Sequence, residues 1–327
     1  MSKMGHDALK NPWVQEKMLW SSRQRRAPPS IELCMTAHLV ELNNDTVTYL
    51  QSWVDRTETL HDDITLAPLR GFSVTLDRDD PMPQWGTPVP PLGHWFYFLP
   101  QHMQRDIGPD GHAKRGGFLP PVPLPRRMWA GGRLTWHTDN PLRAGDAATR
   151  VSRIASVTHK AGRTGDLLFV EVQHEVSNGE GVCISEAHDI VYRPAADPHD
   201  APPPPVAART DALWRRDIVG DPVLLFRYSA LTFNGHRIHY DRTYVTEVEG
   251  YPGLIVHGPL IATLLVDLVR RHQPDATIRH FHYKAMRPTF DLHPFAVNAK
   301  PTDDPKVIDV WAHDHEGWLT MQGQVHL

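Results

Sequence analysis

The chain has 327 residues, more than the roughly 100–200 of a typical domain, so two domains or one large fused domain are expected. Hydrophobic residues make up 40%, charged residues 22%, and the formal net charge is -4. This composition is that of an ordinary globular protein without the positive charge that nucleic acid attracts, so a small molecule or a protein is the expected partner. Cys34 and Cys183 lie far apart, which indicates neither a disulfide framework nor a cysteine-based zinc site.

Residues 1–34 are interpreted as a disordered extension. Their excess of basic residues is also compatible with an organelle transit peptide, and Met35 is an alternative start. No run approaches the roughly 18 apolar residues of a membrane helix, and a secretory apolar region is missing from the start. We therefore expect a cytoplasmic protein without a membrane partner.

The sequence of the first half of the chain predicts a helix followed by strands. The helix is predicted in "HLVELNNDTVTYLQSWV", from residue 38 to 54, and a short apolar run closed by prolines follows at residues 90–100. Runs rich in β-branched residues then predict four strands. These strands are "GRLTWHT", "ATRVSRIASVTHKA", "DLLFVEVQHEVS" and "GVCISEAHDIVYR".

The same order recurs after the proline-rich stretch "RPAADPHDAPPPPVAART", which predicts a stiff linker. "VHGPLIATLLVDLVRRH" has apolar residues at helical spacing. Four strand-like runs follow it, in "TIRHFHYKAMRPTF", "FAVNAKP", "VIDVWAHD" and "WLTMQGQVHL". The recurrence predicts a duplicated α+β unit in which a long helix lies on a curved antiparallel sheet.

The stretch "FNGHRIHYD" places polar side chains shortly before the predicted helix of the second half. Gly258 and Pro259 stand at the first turn of that helix, where free N–H groups favour negative charge and can hold an oxyanion. The alternative is that they only begin a core helix. His236, His239 and His257 are candidates for a metal site, but the carboxylate spacing of a zinc motif is missing, so no metal is predicted. His239 alone is also compatible with a structural histidine.

"YSALTFNGHRIH", from Tyr228 to His239, resembles the signature of the MaoC-like (R)-specific enoyl-CoA hydratases. The departures from that signature resemble a subgroup, the mitochondrial-type 3-hydroxyacyl-thioester dehydratases and the bacterial 3-methylfumaryl-CoA (mesaconyl-CoA) hydratases. The subgroup is recognised by "NGHRIHY" followed by "EGYPGLIVHGPL", and "TETLHDDITLAPLRGFSVTLDRDDP" resembles its N-terminal domain. The positions that depart from the parent signature are Phe233, Asn234, His236 and Arg237.

The resemblance implies a double hot-dog fold, in which two central helices are each wrapped by an antiparallel sheet. We therefore expect an N-terminal hot-dog domain over residues 35–193 that forms part of the acyl pocket. A proline-rich linker at residues 194–212 and a catalytic C-terminal hot-dog domain at residues 213–327 follow. Hot-dog proteins often present a sheet edge to a partner, which leaves a homodimer open.

Addition of water to an enoyl thioester needs a base, a proton for the α-carbon and a donor for the enolate oxygen. His239 is the expected general acid/base, since an imidazole exchanges protons near neutral pH. Gly258 N–H is the expected oxyanion donor. Asn234 replaces the aspartate of the parent signature, and because an amide cannot accept a proton it can only orient the water or the thioester. The sequence leaves open whether Asp241, Glu247 or Glu249 assists His239.

Arg237 suits an acyl group that carries its own carboxylate, because guanidinium binds carboxylates in a bidentate manner. The alternative is that Arg237 pairs with an internal acid and braces the loop. His236, Tyr228 and His257 are further candidates for substrate contacts. Lys284 and Arg287, with Arg126 and Arg127, are candidates for the phosphates of coenzyme A.

The predicted activity is hydration of 3-methylfumaryl-CoA to citramalyl-CoA, without a metal or redox cofactor, since coenzyme A is part of the substrate. The alternatives are itaconyl-CoA hydratase and (R)-3-hydroxyacyl-thioester dehydratase. Two readings from other classes are a hot-dog thioesterase and a non-catalytic acyl-CoA-binding protein. A thioesterase needs a carboxylate beside the thioester, and the predicted central helix offers only Asp267, beyond its first turn.

Overall fold

Ten antiparallel strands form one sheet in the computed structural model, which describes residues 42–162, 165–194 and 204–327. The predicted extension over residues 1–34 and much of the predicted linker, residues 195–203, lie outside the described residues. The strands are β1 (Thr57–Asp63), β2 (Arg126–Trp136), β3 (Ala147–Gly162), β4 (Gly165–Asn178), β5 (Gly181–Arg193), β6 (Trp214–Ile218), β7 (His280–Ala285), β8 (Phe295–Pro301), β9 (Val307–His313) and β10 (Leu319–His326).

The strand order confirms the internal repeat. From one edge to the other the order is β1-β3-β4-β5-β2-β7-β10-β9-β8-β6. Read inward from each edge, the two halves have the same sequence of strands, with β1 equivalent to β6 and β3, β4, β5 and β2 equivalent to β8, β9, β10 and β7. The halves join where β2 pairs with β7, from Gly131 opposite Lys284 to Thr135 opposite His280. The domain boundaries, like a homodimer, stay a prediction.

Four α-helices accompany the sheet within the described ranges: α1 (Asn44–Gln51), α2 (Leu66–Thr75), α3 (Pro222–Leu231) and α4 (Gly258–His272). Two of them repeat, since α2 follows β1 as α3 follows β6. The long helix α4 is the predicted central helix of the second half. Its residues from Leu260 to Val269 are all buried, and they form the main hydrophobic core together with the inner faces of β7 to β10.

The first half departs from the predicted helix-then-strands order. Part of the predicted helix over residues 38–54 is present as α1, while residues 38–41 lie outside the described residues. α1 precedes β1, whereas α4 follows β6 and α3. The place equivalent to α4 is taken by residues 76–125, which contain only the 3₁₀ turns Gly93–Phe96 and Gln104–Asp106. Prolines explain the difference, because they cannot continue a helix. The prolines of this segment are Pro81, Pro83, Pro88, Pro90, Pro91, Pro100, Pro109, Pro120, Pro121, Pro123 and Pro125.

The predicted strands of both halves are confirmed, two of them to the residue. "GVCISEAHDIVYR" is β5 and "FAVNAKP" is β8. The edge strands β1 and β6 were not predicted, because their charged and polar residues hide the alternation that indicates a strand. None of the helices in the described part of the chain is long and apolar enough to cross a membrane.

Candidate active site

The site begins where α3 ends. Asp221 caps the start of α3 by accepting hydrogen bonds from the N–H groups of Val223 and Leu224 at 2.7 and 3.1 Å. After the helix, Phe233 has a φ of +48°, and Asn234 N–H donates to the Ser229 carbonyl at 2.8 Å. This tight exit turns the chain toward the N-terminus of α4.

Asn234 is held by its own loop. Its Oδ1 accepts a hydrogen bond from His236 N–H at 3.0 Å, which also identifies the oxygen of the side-chain amide. The side-chain NH₂ group has no hydrogen-bond partner among the described residues, and Asn234 is partly exposed. Asn234 can therefore donate to a substrate or to water, whereas its acceptor is already in use.

His239 has the geometry of a general base. It lies in the 3₁₀ turn Arg237–His239, is 7% exposed, and its Nδ1 lies 2.7 Å from the Ile255 carbonyl oxygen. Because a carbonyl only accepts, Nδ1 carries the hydrogen and Nε2 carries the lone pair. Burial lowers the pKa of His239 to about 4, although the hydrogen bond to Ile255 favours the protonated ring. The ring is therefore neutral at pH 7.

His257 lies against His239 and is the N-cap residue of α4. The two rings are stacked, with centroids 3.7 Å apart and an interplanar angle of 16°. His257 Nε2 lies 2.8 Å from Ser229 Oγ, and its buried Nδ1 has no partner in the described structure. Burial lowers the pKa of His257 well below its usual value. Two neutral, stacked imidazoles thus stand at the helix end where the sequence predicted a site.

Gly258 faces open space at the first turn of α4. A methyl group placed on Gly258 would meet no atom within 4 Å outside its own helix and chain neighbours. Pro259 has no N–H, so Gly258 and Leu260 carry the free donors of the first turn, and Ile261 N–H already bonds to the His257 carbonyl at 3.1 Å. The positive end of a 15-residue helix is therefore accessible beside the histidines.

A loop from the first half completes the site, and sequence reasoning missed it. Gly111 approaches Gly235 so closely that a Cβ on Gly111 would lie 1.8 Å from the Gly235 carbonyl oxygen. The ring of His112 lies against that of His236, with centroids 3.9 Å apart. Asp110 Oδ2 accepts from His112 Nδ1 at 3.0 Å. Only the pattern "GPDGH", which is typical of a turn, marks this loop in the sequence.

His236 stands between His112 and His239. Its ring centroid is 5.5 Å from that of His239, in an edge-to-face arrangement. Burial lowers the pKa of His236 to about 2, and the charges of His112 and His239 contribute. Asp110, His112 and His236 present ligand atoms that all lie within 4.8 Å of one another and could hold a metal ion. The predicted absence of a metal stays a prediction.

Arg237 is engaged within the protein. Its Nε and Nη2 donate to Asp241 Oδ2 at 3.0 and 2.7 Å, and its Nη1 donates to the Pro109 carbonyl at 3.1 Å. The guanidinium also lies 4.1 Å from the centre of the Tyr244 ring. This is the geometry that the bracing interpretation expects. The role of Arg237 in binding a substrate carboxylate stays a prediction.

The other carboxylates named from the sequence have local partners or point outward. Asp241 also accepts from Tyr244 N–H at 3.0 Å, and the pKa of its carboxyl group is lowered by that bond and by Arg237. Glu249 accepts from the Tyr244 hydroxyl at 3.2 Å. Glu247 is exposed. None of the three contacts His239 in the described structure.

The remaining candidates are spread over the fold. Tyr228 is buried behind the site, with its ring 5.1 Å from His257 and its hydroxyl 3.4 Å from Thr263 Oγ1. Lys284 is exposed and lines a groove on the outer face of the sheet. Arg287 lies 3.6 Å from Asp314. The structure therefore does not bring Lys284 and Arg287 to His239, and the role of the coenzyme A candidates stays a prediction.

Asp267, the helix carboxylate that a thioesterase would need, is occupied elsewhere. It is 1% exposed and forms ion pairs with Arg78, Arg216 and Arg271. These arginines lie near the C-terminal end of α4, away from Gly258. The arrangement pairs the buried charge of Asp267 and keeps this carboxylate away from the first turn of α4.

The part of the chain that contains this site matches a known family. Residues 92–291, which include α4 and the segment from Asn234 to Asp241, here called the strip, match the profile of the hydroxyacyl-thioester dehydratase type 2 family. The chain belongs to this family. It is 46% identical over 276 residues to mesaconyl-C(4)-CoA hydratase of Chloroflexus aurantiacus, a match that covers 84% of this chain and 97% of that protein. The mitochondrial hydroxyacyl-thioester dehydratase type 2 of Schizosaccharomyces pombe is 23% identical over 266 residues, covering 73% and 88%.

Solved structures confirm the fold of this hydroxyacyl-thioester dehydratase family member. A MaoC-like dehydratase from Phytophthora capsici superposes with a TM-score of 0.63 at 13% identity, covering 86% of this chain and 97% of that one. A Mycobacterium tuberculosis protein described as having a double hotdog fold superposes with a TM-score of 0.50 at 12% identity, covering 84% and 96%. The predicted double hot-dog class is thus confirmed. The chain is an enzyme of the hydratase and dehydratase class.

Proposed function

We propose that the enzyme adds water to an unsaturated, branched dicarboxylic acyl-CoA, with 3-methylfumaryl-CoA converted to citramalyl-CoA. The observation that carries this proposal is the neutral His239, whose free Nε2 stands beside an accessible helix N-terminus. The 46% identity to a protein named mesaconyl-C(4)-CoA hydratase supports the acyl group. The same site run in reverse is a dehydratase of (R)-3-hydroxyacyl thioesters, the second candidate, which the family match favours.

The geometry divides the reaction among three residues. His239 Nε2 takes a proton from water as the water oxygen bonds to the β-carbon. The electrons of the double bond move toward the thioester oxygen, where Gly258 N–H and the helix end stabilise the negative charge. The hydrogen bond from His236 N–H to Asn234 Oδ1 orients the side-chain amide of Asn234. Its NH₂ group donates to the attacking water or to the thioester.

A dicarboxylic substrate also needs a cation near the reacting carbons, and Arg127 is available. Arg127 pairs across β2 and β5 with the buried Tyr192, so its side chain lies on the inner face of the sheet. Burial is the main cause of the lowered pKa of His112 and of His236, and the positive charge of Arg127 contributes to both. Arg127 forms no salt bridge within residues 42–162, 165–194 and 204–327. Arg127 is thus a better carboxylate anchor than Arg237, which already binds Asp241.

The test is a mass-spectrometric and ultraviolet assay with 3-methylfumaryl-CoA, itaconyl-CoA, crotonyl-CoA and (R)-3-hydroxybutyryl-CoA. We expect a gain of one water on an intact thioester, fastest with 3-methylfumaryl-CoA and lost in His239→Ala. Arg127→Gln should raise KM for the dicarboxylic substrates at least tenfold more than for crotonyl-CoA. Arg237→Lys tests the alternative anchor in the same comparison.

Arg133→Gln is the matched control, since Arg133 lies on the same strand but is exposed and pairs with Glu171 and Asp189. Equal effects of Arg127→Gln on dicarboxylic and monocarboxylic substrates would remove Arg127 as the anchor. Faster conversion of (R)-3-hydroxybutyryl-CoA than of every dicarboxylic substrate would favour the second candidate. Free coenzyme A in place of a hydrated thioester would make the protein a thioesterase.

A further inference from the structure

The proposed hydration requires a proton for the α-carbon, and the site strip alone does not supply a donor for it. Asn234 cannot exchange protons, and Asp241 and Glu249 are bonded to Arg237 and Tyr244. His257 bonds to Ser229 through Nε2, and its Nδ1 is fully buried. His236 is the remaining imidazole of the strip, but no hydrogen bond within the described residues orients its ring. An oriented second proton-transfer group must therefore come from outside the strip and α4.

The loop of residues 107–113 brings such a group. Its ends pair as a β-bridge between Ile107 and Ala113, and Gly108 N–H donates to the His112 carbonyl at 2.6 Å. Asp110 accepts from His112 twice, from the backbone N–H and from Nδ1, both at 3.0 Å. The Nδ1 bond fixes the ring of His112 and leaves Nε2 as its proton-transfer atom.

This loop is docked on the strip by backbone contacts. Arg237 N–H donates to the Asp110 carbonyl at 2.9 Å, and Arg237 Nη1 donates to the Pro109 carbonyl at 3.1 Å. The close approach of Gly111 to Gly235 leaves no room for a side chain on Gly111. The hydrogen bonds from Arg237 to the loop thus fix the position of His112 in the site.

The rings of His112, His236 and His239 are successive neighbours. The centroid distances are 3.9 Å from His112 to His236 and 5.5 Å from His236 to His239. A carboxylate-oriented imidazole from the first half therefore stands one ring away from the base of the second half. Asp110 and His112 form a carboxylate and histidine pair. The strip itself lacks such a pair, because Asn234 stands where the hydratase signature has an aspartate.

We propose that His112, oriented by Asp110, is the second proton-transfer residue of the site, an inference that rests on the proposed hydration. His239 Nε2 takes a proton from water as the C–O bond forms at the β-carbon. That proton passes through His236 to His112, whose Nε2 delivers it to the α-carbon of the resulting enolate. All three rings are neutral before and after the reaction, and the net change is water added to the double bond. Asp110 is a positioning residue.

The test compares His112→Gln, His112→Ala and Asp110→Asn with the wild type, using whichever of the acyl thioesters the wild type converts. His159→Gln is the matched control, because His159 also bonds to a carboxylate, Asp166 at 2.9 Å, on strands outside the site. We expect kcat to fall about 100-fold or more in His112→Gln with KM within threefold, which is the size of a lost general acid or base. Asp110→Asn should lose about tenfold or more in kcat, and His159→Gln should match the wild type.

A proton-transfer role has a signature that a structural role lacks. Added imidazoles should restore turnover in His112→Ala, and the restored rate should follow the pKa of the added imidazole. Unchanged kcat in His112→Gln at an unchanged melting temperature, or a rescue independent of imidazole pKa, would overturn the inference while leaving the hydratase intact. Loss of wild-type activity on chelation with recovery on adding Zn²⁺ would overturn it in favour of a metal held by Asp110, His112 and His236. A wild type inactive on every thioester would overturn both proposals.

Discussion

Replacement of Gly111 by alanine tests whether the docked loop is essential to the site. Gly111 has a φ of +90°, and an added Cβ would lie 1.8 Å from the Gly235 carbonyl oxygen and 2.6 Å from its carbon. Both atoms are backbone, so no side chain can rotate away. The loop and the strip must separate by more than an ångström to accept the methyl group.

The magnitude follows from three costs. A non-glycine residue at positive φ costs about 1–2 kcal/mol. Separation of the loop also removes two hydrogen bonds, from Arg237 N–H to Asp110 and from Arg237 Nη1 to Pro109, each worth about 1 kcal/mol. The expected loss in the free energy of unfolding, or of local opening, is about 3–4 kcal/mol.

Gly116→Ala separates the clash from the backbone cost. Gly116 has a φ of +95° and no atom within 4 Å of an added Cβ, so this control should lose only about 1–2 kcal/mol. Urea unfolding followed by tryptophan fluorescence gives the global value, and hydrogen exchange at Arg237 N–H gives the local one. Gly111→Ala should also lose the activity that depends on His112. If Gly111→Ala exchanged at Arg237 as slowly as Gly116→Ala and kept full activity, the docked loop would have no functional role.

Three further outcomes follow from the structure. The pKa of His239 is lowered to about 4, so its contribution to stability is complete above pH 6.5 and is lost as the pH falls toward 4. His239 alone should lower the free energy of unfolding by about 2 kcal/mol between pH 7.5 and pH 5, and His239→Gln should reduce the measured fall by about that amount. Gly258→Ala should keep the melting temperature but lower kcat/KM, because its methyl group enters the open space at the helix end. Asp267→Ala should destabilise by about 3–5 kcal/mol in urea unfolding, since it leaves arginines unpaired, against about 0.5 kcal/mol for Asp217→Ala at an exposed ion pair.

The sequence predicted the strands and α4 because their signals are local. β5 and β8 are rich in apolar and β-branched residues and are bounded by glycine or proline, and the buried face of α4 recurs at helical spacing. The interior of the first half was not predictable in the same way. The proline-rich segment from residue 76 to 125 fills the place of a central helix with irregular backbone. Its buried His94 and its partly buried Trp95 bond to the buried Glu186 of β5 across 92 and 91 positions of the sequence, and no periodicity of the sequence indicates such a contact.

The candidate site shows the same contrast between local sequence signals and long-range contacts. His239, Asn234 and Gly258 lie within 25 residues of one another, so a motif could bring them forward together. Asp110 and His112 reach the strip from more than 120 residues away. They are held by the Gly111–Gly235 backbone contact and by hydrogen bonds from Arg237 to backbone carbonyls, which leave no pattern of residue types in the sequence. The departure of Asn234 from the hydratase signature was visible in the sequence, but its compensation was not. In a duplicated fold whose halves share one continuous sheet, one half can supply a carboxylate that the other half lacks. The acid that Asn234 cannot provide is therefore expected in the first half.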